Sequence, residues 1–327
     1  MRYRQIINDA WLFTRSERRL VKWYAFFPSL LATIAGIAYL IYQYMAFVTS
    51  DVFANEHITS FLYQVVSAYV GLFDTSTRVG VIVTILLIIA IALHFFVPVF
   101  AQGSLIEFTS RFKSGEKVEL GRGVGFGLLN FLPLFEYSLV VRSFTITSVL
   151  GEAMFILRNF GWGWLKALLV PLILMLAVSM LLTLFFTYTE YFIVIDKKKV
   201  FASMKASTIL VIKHWQHTFF ILILMAIIGI RIIINVLIVI LIPGVIIGIS
   251  ALFVYSAALM KVGVVIGGIV GLFALYIASY FNAVLDVWAK AVWVFSFLEL
   301  TLSKEKDARG NVITGAEALA REDAALT

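Results

Sequence analysis

The stretch from Thr218 to Ile242 reads TFFILILMAIIGIRIIINVLIVILI, and Arg231 is its single charged residue. A helix needs about 20 apolar residues to cross the hydrocarbon core of a bilayer, so this stretch predicts a transmembrane helix. The whole chain has the same character, because 62% of its 327 residues are hydrophobic and 14% are charged. Soluble proteins carry about 25% charged residues. The sequence therefore predicts an integral membrane protein.

This composition excludes an ordinary soluble domain and a disordered protein. The net charge of +7 does not indicate a nucleic-acid partner, because the basic residues lie in short segments between apolar stretches, as in the cytoplasmic loops of membrane proteins. The sequence contains no cysteine, which excludes disulfides and thiolate metal sites. We recognise no catalytic motif, so the sequence favours a non-enzymatic protein without a cofactor.

Hydropathy predicts an all-α fold, a polytopic transmembrane helical bundle of about six spans. The predicted spans cover residues 24–48, 79–106, 128–150, 166–193, 218–242 and 262–284. The nearly continuous apolar region 244–302 admits one, two or three crossings. We expect one break at Pro243-Gly244 and another near Lys261. Residues 245–260 would then form a re-entrant or half helix, and residues 285–302 an interfacial extension.

The distribution of Lys and Arg predicts the orientation of the bundle. The N-terminal segment 1–23 and the loops 107–125 and 194–217 are basic, and the polar tail 303–327 begins with Lys304, Lys306 and Arg309, whereas the loop 49–78 has Arg78 as its single basic residue. Positive residues favour the cytoplasmic side, so both termini are predicted to be cytoplasmic. Residues 24–302 form the predicted transmembrane domain. The tail 303–327 has few large apolar residues and is predicted to be disordered.

Two basic segments predict amphipathic helices on the membrane surface. The first, within residues 1–23, has an apolar stripe of Tyr3, Ile6, Ile7, Ala10 and Trp11. The second has a stripe of Val200, Phe201, Met204, Thr208, Val211, Ile212 and Trp215, opposite Lys198, Lys205 and Lys213. Such helices embed their apolar stripe in the bilayer and place their lysines among anionic phospholipids. Docking of a cytoplasmic partner on the same surface is the alternative.

Arg231 is the main candidate for a binding residue. An arginine at mid-span costs about 2.5–3.5 kcal/mol on insertion scales, so we expect its side chain to face the protein interior or water. Asn235 follows one turn later on the same face, and Glu136 is the predicted acidic partner. With Arg142 these residues form a candidate intramembrane cluster. The cluster would contact a substrate or a lipid phosphate, or Arg231 would form a structural ion pair, which we favour.

Three glycines at four-residue spacing, Gly263, Gly267 and Gly271, lie on one face of a predicted helix. Small residues at this spacing let two helix backbones approach closely in a membrane. We therefore predict helix packing through this face, within the chain in preference to a homodimer.

Two further patterns resemble ligand sites but lack the complete motif. Glycine occupies every second position from Gly121 to Gly127, yet no strand precedes the run and no Gly-Lys-Ser/Thr ending follows it, as a phosphate-binding loop requires. We predict a flexible cytoplasmic segment leading into the third span. His214 and His217 have a spacing that two metal ligands could use, but no Cys, Asp or Glu completes a zinc set, so no metal site is predicted.

Residues 189–218 resemble a bacterial pattern. TEYFIVID (Thr189–Asp196) is followed by KVFASMKAS (Lys199–Ser207) and by HWQHT (His214–Thr218). A span ends in an apolar run, a helix with an A-x-K-x-S-like motif follows, and an aromatic residue precedes the next span. The motif positions are Ser203, Lys205 and Ser207, with Ser203 where the family more often has Ala. The pattern is similar to the six-span inner-membrane proteins of the YciC-like group and to the membrane domain attached to some glycerophosphodiester phosphodiesterases.

This resemblance implies six spans with both termini inside, in a bacterial plasma (inner) membrane, and it implies no particular activity. We favour an accessory or organising protein whose partners are the lipid bilayer and either another membrane protein or a second copy. The alternative is a transporter or lipid-handling protein that uses the intramembrane cluster. A carrier needs a polar cavity, whereas a structural protein pairs its polar groups in a dry core. A membrane enzyme would require a reactive carboxylate or histidine in a cavity.

Overall fold

The computed structural model describes residues 3–48, 61–116, 119–142, 145–252 and 257–309, and the regular structure in these ranges is entirely helical. The predicted all-α fold is confirmed. The helices are α1 (Tyr3–Ser16), α2 (Arg18–Leu20), a π-helix (Val21–Ala25), α3 (Phe26–Val48), α4 (Phe61–Thr75), α5 (Thr77–Lys113), α6 (Arg122–Arg142), α7 (Ile146–Ala167), α8 (Leu169–Phe185), α9 (Thr189–Val194), α10 (Val200–Lys213), α11 (Trp215–Leu252) and α12 (Ala257–Arg309).

Five helical segments of the described chain are long and apolar enough to cross a membrane. They are Arg18–Val48, Thr77–Lys113, Arg122–Val141, Trp215–Ile246 and Lys261–Thr301. A sixth candidate consists of Phe160–Ala167 and Leu169–Phe185, which meet at a bend of 66°. The chain therefore has five to six candidate spans, each of which overlaps a predicted one.

The region after Ile242 differs from the prediction. The helix α11 continues through Pro243 to Leu252, and α12 runs unbroken past Lys261. A proline removes one backbone donor, and helices in membranes tolerate this. Residues 285–302 belong to α12 and include many buried side chains, so they continue the helix, and their interfacial position stays a prediction.

Further along α12, Asp286 and Lys290 pair with each other at 2.6 Å, one turn apart. These two charges therefore do not end the helix. It continues to Arg309, so residues 303–309 of the predicted disordered tail are helical. The rest of the tail lies outside the described residues.

The helices α4 and α7 differ from the prediction: α4 lies where a loop was predicted, and α7 begins inside the predicted span 128–150. The helix α4 falls within the predicted loop 49–78, and the Tyr69 hydroxyl lies 2.7 Å from the Thr84 hydroxyl of α5. The predicted span 128–150 ends earlier, because α6 stops at Arg142 and α7 begins at Ile146. Within α7, Gly161 has a φ of 77°, a value that favours glycine and that interrupts the helical path.

The chain divides into two compact units, one of Met1–Thr33, Pro98–Glu136 and Phe185–Thr327, and one of Ile34–Val97 and Tyr137–Leu184. In the first unit, α1 packs on α12. Its buried side chains include Ile6, Ala10 and Phe13, and the Trp288 indole donates a hydrogen bond to the Ile7 carbonyl at 3.4 Å. The predicted N-terminal helix therefore forms, but much of its apolar face is covered by protein.

The second amphipathic helix, α10, also forms where the sequence predicted it, but its apolar stripe divides into two faces. The buried face consists of Val200, Ser203, Ser207, Leu210 and Val211. The exposed face carries Phe201, Lys205, Ile209 and Ile212. Serines therefore contribute to the packed face, whereas several large apolar side chains of the predicted stripe stay uncovered.

Candidate functional site

The predicted cluster around Arg231 does not assemble in the described residues. The Arg231 and Glu136 side chains are both exposed, and neither forms an ion pair with a described residue. The predicted Arg231–Glu136 pair is therefore wrong for the single chain. The buried stripe of α11 passes through Ile228 and Val239, and Arg231 falls outside it. The Arg142 side chain lies outside the described residues.

Asn235 instead joins a chain of hydrogen bonds between three helices. Its side-chain amide donates to the Asn282 carbonyl oxygen at 3.1 Å, and the Asn282 amide donates to the Thr33 hydroxyl at 3.3 Å. Thr33 in turn donates to the Ser29 carbonyl at 2.7 Å. Asn282 is 6% exposed and Thr33 is 2% exposed. These polar groups pair with each other at the contact between α3, α11 and α12.

The glycine face of α12 lies close to α11. Gly263 and Gly267 are buried. A Cβ atom placed on Gly271 would lie 3.1 Å from Cγ of Pro243, a tight contact with the side chain of a rigid residue. Gly271 therefore allows α12 to approach α11 where the proline lies.

A charge cluster surrounds Glu107, near the end of α5. One carboxylate oxygen of Glu107 lies 2.9 Å from Nε of Arg111, and the other lies 2.8 Å from Nζ of Lys197. The Glu107 side chain is 9% exposed. The same lysine donates to the Asn130 side chain of α6 at 3.3 Å, and Arg111 also pairs with Glu116 at 3.1 Å. Two cations therefore neutralise one buried carboxylate and connect α5, α6 and the segment after α9.

Lys197 reaches Glu107 from an unusual backbone conformation. Its φ is 51°, the single positive value among the described non-glycine residues, and such values are uncommon outside glycine, asparagine and aspartate. The sequence prediction counted Lys197 among the basic loop residues and did not pair it with Glu107. The sequence did contain one indication of this pair, because Glu107 is the single charged residue between Arg78 and Arg111.

A second charge cluster lies near the start of α9. The Gln102 amide donates a hydrogen bond to the Glu190 carboxylate. Burial raises the pKa of Glu190, and nearby Asp286 raises it further, whereas the charge of Lys290 and the Gln102 hydrogen bond lower it. The net effect is a raised pKa. Glu190 is therefore a carboxyl group whose ionisation the surrounding protein disfavours.

The serines of the A-x-K-x-S-like motif bond the backbone on the buried side of α10. Ser207 is fully buried, donates to the Phe185 carbonyl at 2.6 Å and accepts from the Tyr188 backbone N–H at 3.0 Å. Ser203 is also buried and donates to the Lys198 carbonyl at 3.2 Å. These hydrogen bonds account for the two serines through packing and backbone pairing.

The three predicted membrane-surface lysines differ in their surroundings. Lys198 pairs with Asp196 at 2.7 Å and lies 4.5 Å from the centre of the Phe192 ring. Lys205 and Lys213 are exposed and form no ion pair with a described residue. Two of the three ammonium groups therefore remain available to solvent or lipid.

Three of the four alternating glycines, Gly123, Gly125 and Gly127, lie in α6, so the predicted flexible segment is wrong from Arg122 onward. A Cβ atom on Gly123 would collide with the Phe108 ring and the Tyr24 hydroxyl, and one on Gly127 would lie 2.5 Å from the Phe100 ring. Gly125 has no neighbour within 4 Å of its Cβ position. Two of these glycines therefore serve close helix packing.

Metal chemistry finds no support in the described residues, where no group of three or more His, Asp or Glu side chains could hold an ion. The His214 and His217 rings lie 6.2 Å apart, and His217 lies 5.4 Å from the Tyr3 ring. Aromatic packing therefore accounts for the position of His217.

In comparisons with protein-family models, curated proteins and solved structures, no match is found. The resemblance of residues 189–218 to a bacterial family therefore stays a prediction. The function has to be argued from the residues themselves.

Proposed function

We propose that this chain is a non-enzymatic multi-pass protein of the bacterial plasma (inner) membrane, with both termini in the cytoplasm. Its role is accessory or organising, and it binds another membrane protein through α11. The five to six candidate spans support the membrane location. The positions of the basic segments support the orientation.

The single observation that carries this proposal is the exposure of Arg231. This residue lies at the centre of the candidate span Trp215–Ile246, and its guanidinium has no acidic partner among the described residues. A charge at that depth is costly unless it is paired or reaches water. A partner that covers Arg231 would remove this cost.

The surroundings of Arg231 indicate the chemistry of the partner. Ile227, Ile234 and Ile238 lie on the same side of α11, one or two turns away, and all three are exposed. A transmembrane helix that presents an apolar face with one carboxylate at mid-depth would complement this surface. Arginine and carboxylate groups form the strong paired hydrogen bonds that such a contact needs.

The exposed face of α10 supports an additional contact with the bilayer. Phe201 is 77% exposed and Ile212 is 62% exposed, and Lys205 shares their side of the helix. An apolar face flanked by lysines suits the surface of a membrane that contains anionic phospholipids. Lys213 adds a second unpaired cation. This contact would fix the cytoplasmic face of the protein against the headgroups.

The transporter or lipid-handling alternative has less support. It requires Arg231, Asn235, Glu136 and Arg142 to act together around a polar cavity. Asn235 is instead engaged with buried Asn282, and Arg231 and Glu136 do not pair. The paired side chains of Asn235, Asn282 and Thr33 support a structural core.

The test is extraction of the full chain from its native membrane into lipid nanodiscs, followed by mass spectrometry of the retained proteins. The wild-type chain is compared with Arg231→Leu and with the control Lys261→Leu, which also removes an exposed positive charge from an apolar helix. We expect one stoichiometric membrane protein with the wild type and with the control, and its loss with Arg231→Leu. Circular dichroism and the melting temperature report whether each variant is folded.

Three results would contradict the proposal. One is the absence of a stoichiometric partner with the wild type, and another is retention of the partner by Arg231→Leu. The third is a second copy as the only retained protein. In that case Glu136 of the second copy becomes the natural partner for Arg231, and the chain assembles with itself instead of serving another protein.

A further inference from the structure

An open cleft of about 470 Å³ lies where the N-terminal helices meet α12. Arg15 and Arg18 line it from the N-terminal side, and Tyr280 and Val284 line it from α12. The hydrogen bond from Trp288 to the Ile7 carbonyl holds α1 on α12 in this unit. The cleft is therefore part of a packed arrangement of helices.

The two arginines give the cleft an unneutralised positive charge. Both side chains are exposed, and neither guanidinium lies within 4.0 Å of a carboxylate of a described residue. Glu17 is the only acidic residue between Trp11 and Ala25, against Arg15, Arg18, Arg19 and Lys22. Paired guanidinium groups suit the oxygens of a phosphate, to which they can donate parallel hydrogen bonds.

The other lining residues indicate that the ligand is amphipathic. Val21 and Val284 supply apolar surface, and Trp11 and Tyr280 supply aromatic rings. Trp11 is 47% exposed, and its ring meets the Trp288 ring edge-on at 6.3 Å. Tryptophan and tyrosine concentrate at the membrane–water interface, because their rings are apolar and carry one polar group. A free anion would not use this apolar wall.

The arginines of the cleft lie at the start of an apolar helix. Arg18 begins the first candidate span, Arg18–Val48, and Arg15 precedes it. Long basic side chains near the end of a span reach the headgroup region. The arginine side of the cleft therefore suits a lipid headgroup.

The backbone beside the cleft has a wide turn. Val21 begins the π-helix Val21–Ala25, which leads from the basic N-terminal helices into α3. Such π-helical turns are rare and often occur at functional sites. Here the turn supplies Val21 to the cleft wall, directly after the arginine-bearing segment.

We propose that this cleft binds the phosphate group of an anionic phospholipid, with Arg15 and Arg18 on the phosphate and the apolar wall against the first carbons of the lipid. This site is separate from α10 and does not depend on the proposed partner of Arg231. The chemistry recognised is a phosphate, which a lipid headgroup or free phosphate can supply.

The test uses the full chain in detergent micelles and native mass spectrometry of bound lipid during titration with phosphatidylglycerol, phosphatidylcholine or inorganic phosphate. The variant Arg15→Gln/Arg18→Gln is compared with the control Arg4→Gln/Arg19→Gln, which removes the same charge from exposed positions outside the cleft wall. We expect the cleft variant to bind phosphatidylglycerol about tenfold more weakly, the effect of about 1.4 kcal/mol, and the control to change it less than twofold. Phosphatidylcholine should bind more weakly than phosphatidylglycerol.

An equal loss in both double variants would show general surface attraction and overturn the site. Unchanged binding in the cleft variant would also overturn it. If inorganic phosphate displaces phosphatidylglycerol at an equal concentration, the proposal of a lipid ligand is overturned, and the cleft is a site for free phosphate. The melting temperature without lipid identifies any variant that fails to fold, and single Arg15→Lys or Arg18→Lys substitutions then keep the charge while removing the guanidinium.

Discussion

The ammonium group of Lys197 lies 2.8 Å from the carboxylate of Glu107, although 90 residues separate them in sequence. This contact holds the segment after α9 against the end of α5. Because Glu107 is nearly buried and also pairs with Arg111, the carboxylate is the shared member of both ion pairs. Loss of its charge would leave two cations beside a neutral group.

We expect Glu107→Gln to lower the free energy of unfolding by about 1–2 kcal/mol, a value reduced by the partial exposure of both cations. Unfolding by a denaturing detergent in mixed micelles measures this change. Glu119→Gln is the matched control, because Glu119 is exposed and forms no ion pair with a described residue. Equal stability of the two variants would contradict a role for the Glu107 cluster.

Alanine substitutions at Gly127 and Gly125 should change the stability of the protein by different amounts, although both residues are glycines of the same run. Gly127→Ala places a methyl group against Phe100 and Ser104, so we expect a loss of about 1–3 kcal/mol from overpacking. Gly125→Ala meets open space and should be neutral or stabilising by up to about 1 kcal/mol, because alanine favours helix. Melting temperatures of the two variants decide this, and a reversed order would refute the packing role of Gly127.

The hydrogen bond between Asn235 and Asn282 predicts an energetic coupling between α11 and α12. A double-mutant cycle with Asn235→Ala and Asn282→Ala should give about 0.6 kcal/mol, within the range of up to about 1.7 kcal/mol found for such bonds in membranes. The free energy of unfolding of all four proteins supplies the cycle. Strictly additive effects of the two substitutions would mean that the bond contributes nothing to stability.

Glu190 predicts a pH dependence of stability. Its pKa is raised in the folded protein, so the folded state holds this proton more tightly than the unfolded state. The resulting stability is fully present below the usual glutamate pKa, and it is lost as the pH rises through the raised pKa. Glu190→Gln should flatten the decline of melting temperature with pH, whereas Glu119→Gln should keep it. An unchanged slope in Glu190→Gln would argue against protonation of this group.

Hydropathy located the candidate spans because a long apolar run can be recognised from neighbouring residues in the sequence alone. The continuity of α12 could not be found in this way. Asp286 and Lys290 look like interruptions in a linear scan, but on a helix they face each other one turn apart and neutralise each other. Pro243 likewise suggested a break, although one missing backbone donor does not end a helix inside a membrane.

The candidate site was harder to predict. Hydropathy indicates how deep a residue lies in its span, but it says little about which side of the helix faces the protein. The depth of Arg231 suggested a buried charge, yet the packed stripe of α11 runs through Ile228, Asn235 and Val239, and Arg231 lies beside it. Asn282 is the partner of Asn235 and was not singled out from the sequence. Its contact joins positions 47 residues apart, and a single sequence contains no information on such pairs.

The packing of α1 on α12 has a consequence for biogenesis. A ribosome makes α1 first and α12 last among the described helices, so the contact of α1 with α12 forms late in translation, after Phe13 can already pack on Phe112 of α5. Until residues 283–300 leave the ribosome, the side of the nascent N-terminal helix that faces α12 needs cover from lipid or a chaperone. Premature termination before α12 would leave that helix uncovered and make the truncated product a target for membrane proteases.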